Sequence, residues 1–475
     1  MTRSRRAIHG AISTVVQFLV FFGAQLLISP IVIKHAGSST LGEYAVVTQA
    51  ASFLSLLDLG FSGSFQRYLA RSYGKGDHEK TKKIIKNARL WLGGIDIMRA
   101  IAGVCVISYL QLYHSDSNSN FELRAAFFIL SAWFLVRGWL AIYSPALVSL
   151  QNIAAVNYLT MVSSLLRFAI SISLLFYGLK LESLVWGMVI SELFLHLGSK
   201  IIFTKKFGKF PATISDFSWP EVRQIVTFGL RSTPIGIAAM CTLHSDSLVS
   251  GLLLGTGAAS ILYTTKLPVL QGTMLINRII FSATPALYEL QAQMKRDKLC
   301  RLYSTLHRYN ISMGLILSFG LLLFHERFVS LWVGPTQYGG SSITYLFCLY
   351  VIIITTSNVN TQFLFSKGNI GVFSAVSIFE AVSVLFFSIL LGRSFGIFGV
   401  VFGAIFSHAV IGGGYLWFAT FREYSSSTIY FFLNVVVRPV ICIGGVAAFV
   451  ALLFNFYEKT GFLAEGATYL FLSTA

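Results

Sequence analysis

The chain has 475 residues, 55% of them hydrophobic and only 12% charged, with a formal net charge of +17 and a mean hydropathy of +0.71. Soluble domains carry about 25% charged residues, so this composition argues against an ordinary soluble enzyme or binding module. The five cysteines show no Cys-x-x-Cys or Cys/His ligand spacing, which argues against a structural metal or a disulfide framework.

Arg3, Arg5 and Arg6 precede a first apolar run over about 10–33. That run is too long for the apolar core of a signal peptide and lacks an Ala-x-Ala-like cleavage site, so it reads as a first span. Runs of about 20 apolar residues then recur along the chain, the signature of transmembrane helices. They fall at about 42–66, 90–112, 123–147, 153–177, 183–203, 224–251, 258–284, 307–330, 343–365, 371–391, 395–420 and 429–454. An apolar tail, 461–475, is short for a further span. The expected fold is all-α: a polytopic membrane protein of 12–14 transmembrane helices.

Basic residues set the expected orientation. The loop after the second span holds Arg67, Arg71, Lys75, Lys80, Lys82, Lys83, Lys86 and Arg89. The sixth loop holds Lys200, Lys205, Lys206, Lys209 and Arg223, and the eighth Lys295, Arg296, Lys298, Arg301 and Arg308. Odd-numbered loops carry about one basic residue each, such as Lys34 and Lys180. The positive-inside rule then places the N-terminus and even loops in the cytoplasm. Most of the net charge is topological, and no basic domain points to nucleic acid.

Seven cations interrupt the apolar stretches: Arg99, Arg137, Arg167, Arg231, Lys266, Arg278 and Arg438. Each facing lipid at a helix centre would cost about 2.5–3.5 kcal/mol, roughly 20 kcal/mol in all. Most must therefore face a polar cavity, an acid or a ligand. Arg167 sits on a single helix face with Asn157, Thr160, Ser164 and Ser171, spaced by three and four. Lys266, Thr273, Asn277 and Thr284 repeat that texture, and the run Thr355–Gln362 is polar all round. Hydroxyls on such faces also serve helix packing. Asp96 and Arg99, three apart, suit an ion pair as well as a ligand site. Arg278 is near enough to a span end to snorkel. Asp58, Asp246 and Glu380 are acids within spans, able to pair with an Arg or carry a coupling ion.

A weak internal repeat sets spans 1–6 against spans 7–12. It divides the chain into an N-terminal six-helix bundle, 1–204, a C-terminal one, 205–421, and additional C-terminal span or spans, 422–475. Two pseudo-symmetric bundles around a central cavity are a known transporter plan, and Arg167 and Lys266 are expected to face that cavity. A cavity lined by cations points to an anionic substrate. No Gly-x-Ser-x-Gly, Walker A or His-Glu-x-x-His motif is present, and Asp116 and Glu122 are isolated acids in a short loop. No enzyme activity, cofactor or metal is expected.

The order of features resembles the oligosaccharide flippases of the O-antigen type, within the multidrug/oligosaccharidyl-lipid/polysaccharide exporter superfamily. It is carried by Gly42-x-Tyr44, Asp58-Leu59-Gly60, the basic loop with Gly76-Asp77, and Asp246 in the stretch 245–263. Pro285 and Leu331-Trp332-Val333-Gly334 follow in order. The resemblance covers about 8–420. It implies an oligosaccharide on undecaprenyl pyrophosphate, moved to the outer leaflet of the cytoplasmic membrane by alternating access without ATP. It also implies as partners the lipid-linked substrate, membrane lipid, a polysaccharide polymerase and a chain-length regulator. Arg167, Lys266, Arg137, Arg231, Arg278 and Arg99 are the expected substrate-binding residues, and Asp246 and Asp58 the candidates for ion coupling. Three alternatives share parts of this pattern: a drug or cation exporter of the same superfamily, whose site should be acidic; a flippase for lipid II; and a membrane polymerase or ligase acting on lipid-linked sugars, which would want a large outward loop.

Overall fold

The computed structural model describes residues 3–74, 77–113, 118–150, 152–208, 210, 213, 216–368, 370–425 and 428–459. The tail at 461–475 lies outside them, as do Lys75, Gly76, Asp116 and Lys209. Among the described residues every regular element is helical. The helices are α1 (Arg3–Ala36), α2 (Ser38–Leu54), α3 (Phe61–Gly74), α4 (His78–Tyr113), α5 (Asn118–Arg137) and α6 (Tyr143–Ser149). There follow α7 (Ile153–Phe176), α8 (Leu181–Phe207), α9 (Trp219–Leu254), α10 (Thr256–Ala292) and α11 (Arg296–Val333). The last are α12 (Ser341–Lys367), α13 (Gly371–Ser407), α14 (Gly414–Tyr424), α15 (Thr428–Phe431) and α16 (Arg438–Lys459).

Every expected span falls on helical structure, some of them across more than one helix, and nine helical stretches among the described residues are long and apolar enough to cross a membrane. The protein is a multi-pass membrane protein. Large apolar side chains such as Leu19, Ile101, Phe379 and Leu452 stand exposed along the helices. Such a surface is stable only in lipid. Expected span 11 and the first half of span 12 run together as α13, kinked at Gly396, whose φ of 60° and ψ of −142° are not helical; span 12 continues through a π-helical stretch, His408–Gly413, into α14. The fourth span ends early, at Arg137, before a turn and the short α6.

The second span is the most altered. It breaks into α2, a 3₁₀ turn at Ser55–Asp58, and α3. Leu59 and Gly60 take left-handed φ values of 54° and 70°. Gly60 tolerates this without a Cβ penalty, and it also allows contact: a Cβ on Gly60 would lie 2.8 Å from the carbonyl oxygen of Gly229 on α9. Two glycines thus let the broken helix touch α9 backbone to backbone.

The residues form two compact units. Unit 1 comprises 1–264 and 371–404, and unit 2 comprises 265–370 and 405–475. The bundles read from sequence divide the chain at 204/205 and 421/422 instead. In unit 1, one core surrounds Leu41, Tyr44, Leu130, Trp133 and Leu184. A second surrounds Phe61, Phe65, Ile84, Tyr143 and Phe203. The unit 2 core is aromatic, with Tyr303, Phe363, Tyr424 and Phe431. The repeat has a local echo. Single glycines with φ of 90° and 94°, Gly37 and Gly255, join α1 to α2 and α9 to α10.

Candidate functional site

Breaking a helix inside a membrane orphans backbone groups that water cannot reach. Arg99, only 3% exposed, answers this at the break in span 2. Its Nε donates to the carbonyl of Leu54 at 2.9 Å and its Nη2 to that of Ser55 at 3.1 Å. Its Nη1 pairs with Asp96. On the other side of the break, the Asp58 carboxylate accepts the backbone N–H of Ser62 at 3.2 Å, capping α3. Arg137 stands 3.9 Å from Asp96 and over the Phe134 ring. The structure thus gathers Arg99 and Arg137 around one acid, and ties Arg99 and Asp58 to backbone on either side of a helix break.

Arg167 occupies a different place in unit 1. The face predicted on α7 turns toward α1: Asn157 donates to Ser13 and Thr14 at 2.9 and 2.8 Å. Farther along, α1, α7 and α8 line a cavity of about 140 Å³ with both apolar walls (Phe21, Ile28 and Phe168) and polar groups. Arg167, Thr160, Ser163, Ser164, Gln25 and Glu192 are among the residues that line it. The Arg167 guanidinium also lies 5.8 Å from the centre of the Tyr44 ring, a cation–π distance. Glu192 accepts the indole N–H of Trp133 at 2.8 Å. Ser171 leaves the shared face. It packs where a Cβ on Gly187 of α8 would lie 2.0 Å from its hydroxyl.

Asp246, on α9, is buried at 3% exposure. One turn earlier Thr242 donates to Glu380 of α13 at 3.3 Å. The structure therefore sets a second buried acid close to the turn that bears Asp246. Arg231 is exposed on α9.

In unit 2, Lys266 is buried, 6% exposed, with its ammonium 6.0 Å from the centre of the Tyr350 ring. Its neighbour Thr265 accepts from the Gly339 N–H at 2.9 Å, and the Thr265 carbonyl lies 2.9 Å from His325 Nε2. Arg278 is half-buried, and Arg438, at the start of α16, is exposed. Among the described residues no group of three or more His, Cys, Asp or Glu is placed to hold a metal ion.

Outside the membrane, Asp216 in the segment before α9 accepts from the Thr213 N–H at 2.9 Å and from Lys86 of α4 at 3.0 Å. These donors, the backbone one foremost, hold its carboxyl down to about 2.

Sequence reasoning missed Glu192, Tyr44 as partner of Arg167, and a buried cluster in unit 2. There Asn360 Oδ1 sits 2.9 Å from Tyr303 Oη, His307 Nε2 and Thr420 Oγ1. Asn310, one turn on from His307, is fully buried with both amide atoms lacking a hydrogen-bond partner. The polar run 355–362 was the signal for Asn360. His307 is isolated in an apolar helix, and only the fold shows that it belongs to the cluster.

Among the described residues the protein is all-helical and multi-pass, and its interior holds acids (Glu43, Asp96, Asp246 and Glu380) as well as cations (Arg99 and Lys266). Residues 7–291, more than half of the chain, match the family described as "Polysaccharide biosynthesis protein". The chain belongs to that family. Its fold is similar to those of several solved membrane proteins. A solved structure of the lipid II flippase MurJ, in an inward closed conformation, aligns with a TM-score of 0.69 at 16% identity, covering 98% of each chain. An inward-facing multidrug resistance MATE family transporter of the MOP superfamily aligns with a TM-score of 0.68 at 14% identity, over 87% of this chain and 96% of its own. A MOP superfamily transporter from Pyrococcus furiosus, described as having a binding pocket of reverse polarity, aligns with a TM-score of 0.59 at 15% identity. That alignment covers 86% of this chain and 95% of the other. No curated protein matches the sequence.

Proposed function

We propose that the protein is a flippase for an undecaprenyl-pyrophosphate-linked oligosaccharide, carrying it from the cytoplasmic to the outer leaflet of the cytoplasmic membrane for surface polysaccharide synthesis. The observation that carries this reading is Arg167 lining a cavity inside unit 1, beside the hydroxyl groups of Thr160, Ser163 and Ser164. Pyrophosphate is a concentrated anion, and the guanidinium fork suits its oxygens. Glu192 balances the charge while no ligand is present. The activity is transport by alternating access, without covalent chemistry or cofactor. The proposed lobes are residues 1–204 and 205–421, with 422–475 as additional C-terminal structure. Lys266, Arg137, Arg231 and Arg278 supply further positive charge, and Asp246 is the candidate for ion coupling. The family to which the chain belongs, described as "Polysaccharide biosynthesis protein", supports this reading over drug export. The substrate lipid, surrounding membrane lipid, a polysaccharide polymerase and a chain-length regulator are the proposed partners.

Truncating one member of a buried charged contact costs about 2–5 kcal/mol, roughly 30-fold to several-thousand-fold in affinity. In a flippase-deficient strain, Arg167→Ala should therefore abolish surface polysaccharide at matched expression. Arg167→Lys should rescue partly, since it restores charge without the fork. Normal polysaccharide from Arg167→Ala would make Arg167 structural and overturn the assignment.

A further inference from the structure

The Arg167 cavity, at about 140 Å³, takes little more than a phosphate group. Ligand pockets for larger molecules run to about 300–1,000 Å³. Unit 1 has a pocket of that size elsewhere, about 570 Å³, between α3 and α9. These are the two helices that meet at Gly60 and Gly229. Tyr68 of α3 and Trp219, Arg223, Gln224, Thr227 and Arg231 of α9 line it. Trp219, Arg223, Thr227 and Arg231 recur every four residues, so they form one stripe along α9. Arg223 and Arg231 stand about 12 Å apart along its axis, a spacing that suits an extended group rather than a lone phosphate.

The chemistry of the stripe is mixed in a specific way. Two exposed guanidinium groups are set for phosphate oxygens. The Trp219 ring, half-exposed at 49%, and Tyr68 offer flat apolar faces of the kind that cover a sugar ring. Gln224 and Thr227 offer both donors and acceptors for hydroxyls. The pocket reaches the first turn of α9, where the helix dipole is positive. No acid lines it; Glu221, in the same turn, stays outside the lining. Arg67 and Arg71, both exposed on α3, flank Tyr68 and add to the positive field.

We propose that this pocket binds the phosphorylated-sugar end of the substrate, as a capture subsite separate from the Arg167 cavity. The proposal rests on the reading above that the substrate bears a pyrophosphate. It assigns phosphate recognition to Arg223 and Arg231, and sugar recognition to Trp219 and Tyr68.

The test is calorimetric titration of the purified full chain with inorganic pyrophosphate, glucose 1-phosphate and short-chain phosphatidylglycerol. Thermal unfolding of each variant checks that it is folded. Arg223→Gln and Arg231→Gln should each weaken both phosphate probes about tenfold or more, with Arg231→Lys intermediate. Trp219→Phe should weaken glucose 1-phosphate more than pyrophosphate, because only the former has a ring to cover. Three results would overturn the pocket. The first is unchanged affinity in both Arg variants with loss in Arg167→Gln, which would leave the proposed function standing with a single site. The second is phosphatidylglycerol binding as tightly as glucose 1-phosphate in an Arg231-dependent way, which makes this a lipid headgroup site. The third is no binding of either phosphate probe by the wild-type protein, which removes the pyrophosphate reading as well.

Discussion

A charge inside a membrane is informative only once its partners are known. Arg99 and Arg167 look alike in sequence, each a lone cation in an apolar run. In the structure Arg99 is engaged by Asp96 and two backbone carbonyls, whereas Arg167 lines a cavity shared with hydroxyl groups and Glu192. The Asp96–Arg99 pair was legible because three residues on a helix face each other. The carbonyls were not, since Leu54 and Ser55 are distant in sequence and become acceptors only because their helix breaks. Arg99→Ala should therefore damage folding, leaving Asp96 buried without its closest cation and two carbonyls orphaned. A buried pair broken on one side costs about 3–5 kcal/mol. The double change Arg99→Ala with Asp96→Ala should cost less than the two single changes added together, because it removes the stranded charge. Unfolding in detergent measures both. Additive losses would show that the pair is not coupled.

Hydropathy located the helical segments but not their interruptions. Averaging over about 20 residues hides a four-residue 3₁₀ turn, and Leu59 is not a residue type that announces a left-handed turn. The same averaging merged nothing at Gly396, where sequence and structure both divide the helix. Glycines that serve contact rather than turning were visible as motif positions without a reason. Gly42 now has one. A Cβ there would lie 1.7 Å from the carbonyl oxygen of Thr256 at the start of α10. No rotamer change relieves a clash with backbone, so α2 and α10 must move apart. Gly42→Ala should lose about 1–3 kcal/mol or more from overpacking. Gly23→Ala, in α1 with nothing within 4 Å of the new methyl, should gain about 0.5–1 kcal/mol from helix propensity. Thermal unfolding of the two variants side by side checks the sign of each. Equal effects would mean that the α2–α10 contact does not constrain the fold.

At the scale of the whole molecule the question is topology, and two ion pairs within unit 1 bear on how its loops are grouped. Lys86 and Asp216 pair at 3.0 Å, tying the second and sixth loops together at one end of unit 1. Lys180 and Glu122 pair at 3.5 Å, tying the fifth loop to the start of the fourth span. Within unit 1 the second and sixth loops therefore share one end, and the fifth loop meets the start of the fourth span, as an uninterrupted series of spans requires there. The proposed cytoplasmic placement of the even loops rests on the Lys/Arg asymmetry: eight basic residues named in the second loop against single ones in the odd loops. In a version with its five cysteines replaced, a Cys at Lys82 should resist an impermeant maleimide in intact cells and react after permeabilisation. A Cys at Lys180, 58% exposed, should react in intact cells. Lys82 labelled from outside, with Lys180 protected, would invert the protein and place the Arg223–Arg231 pocket on the face where substrate is released.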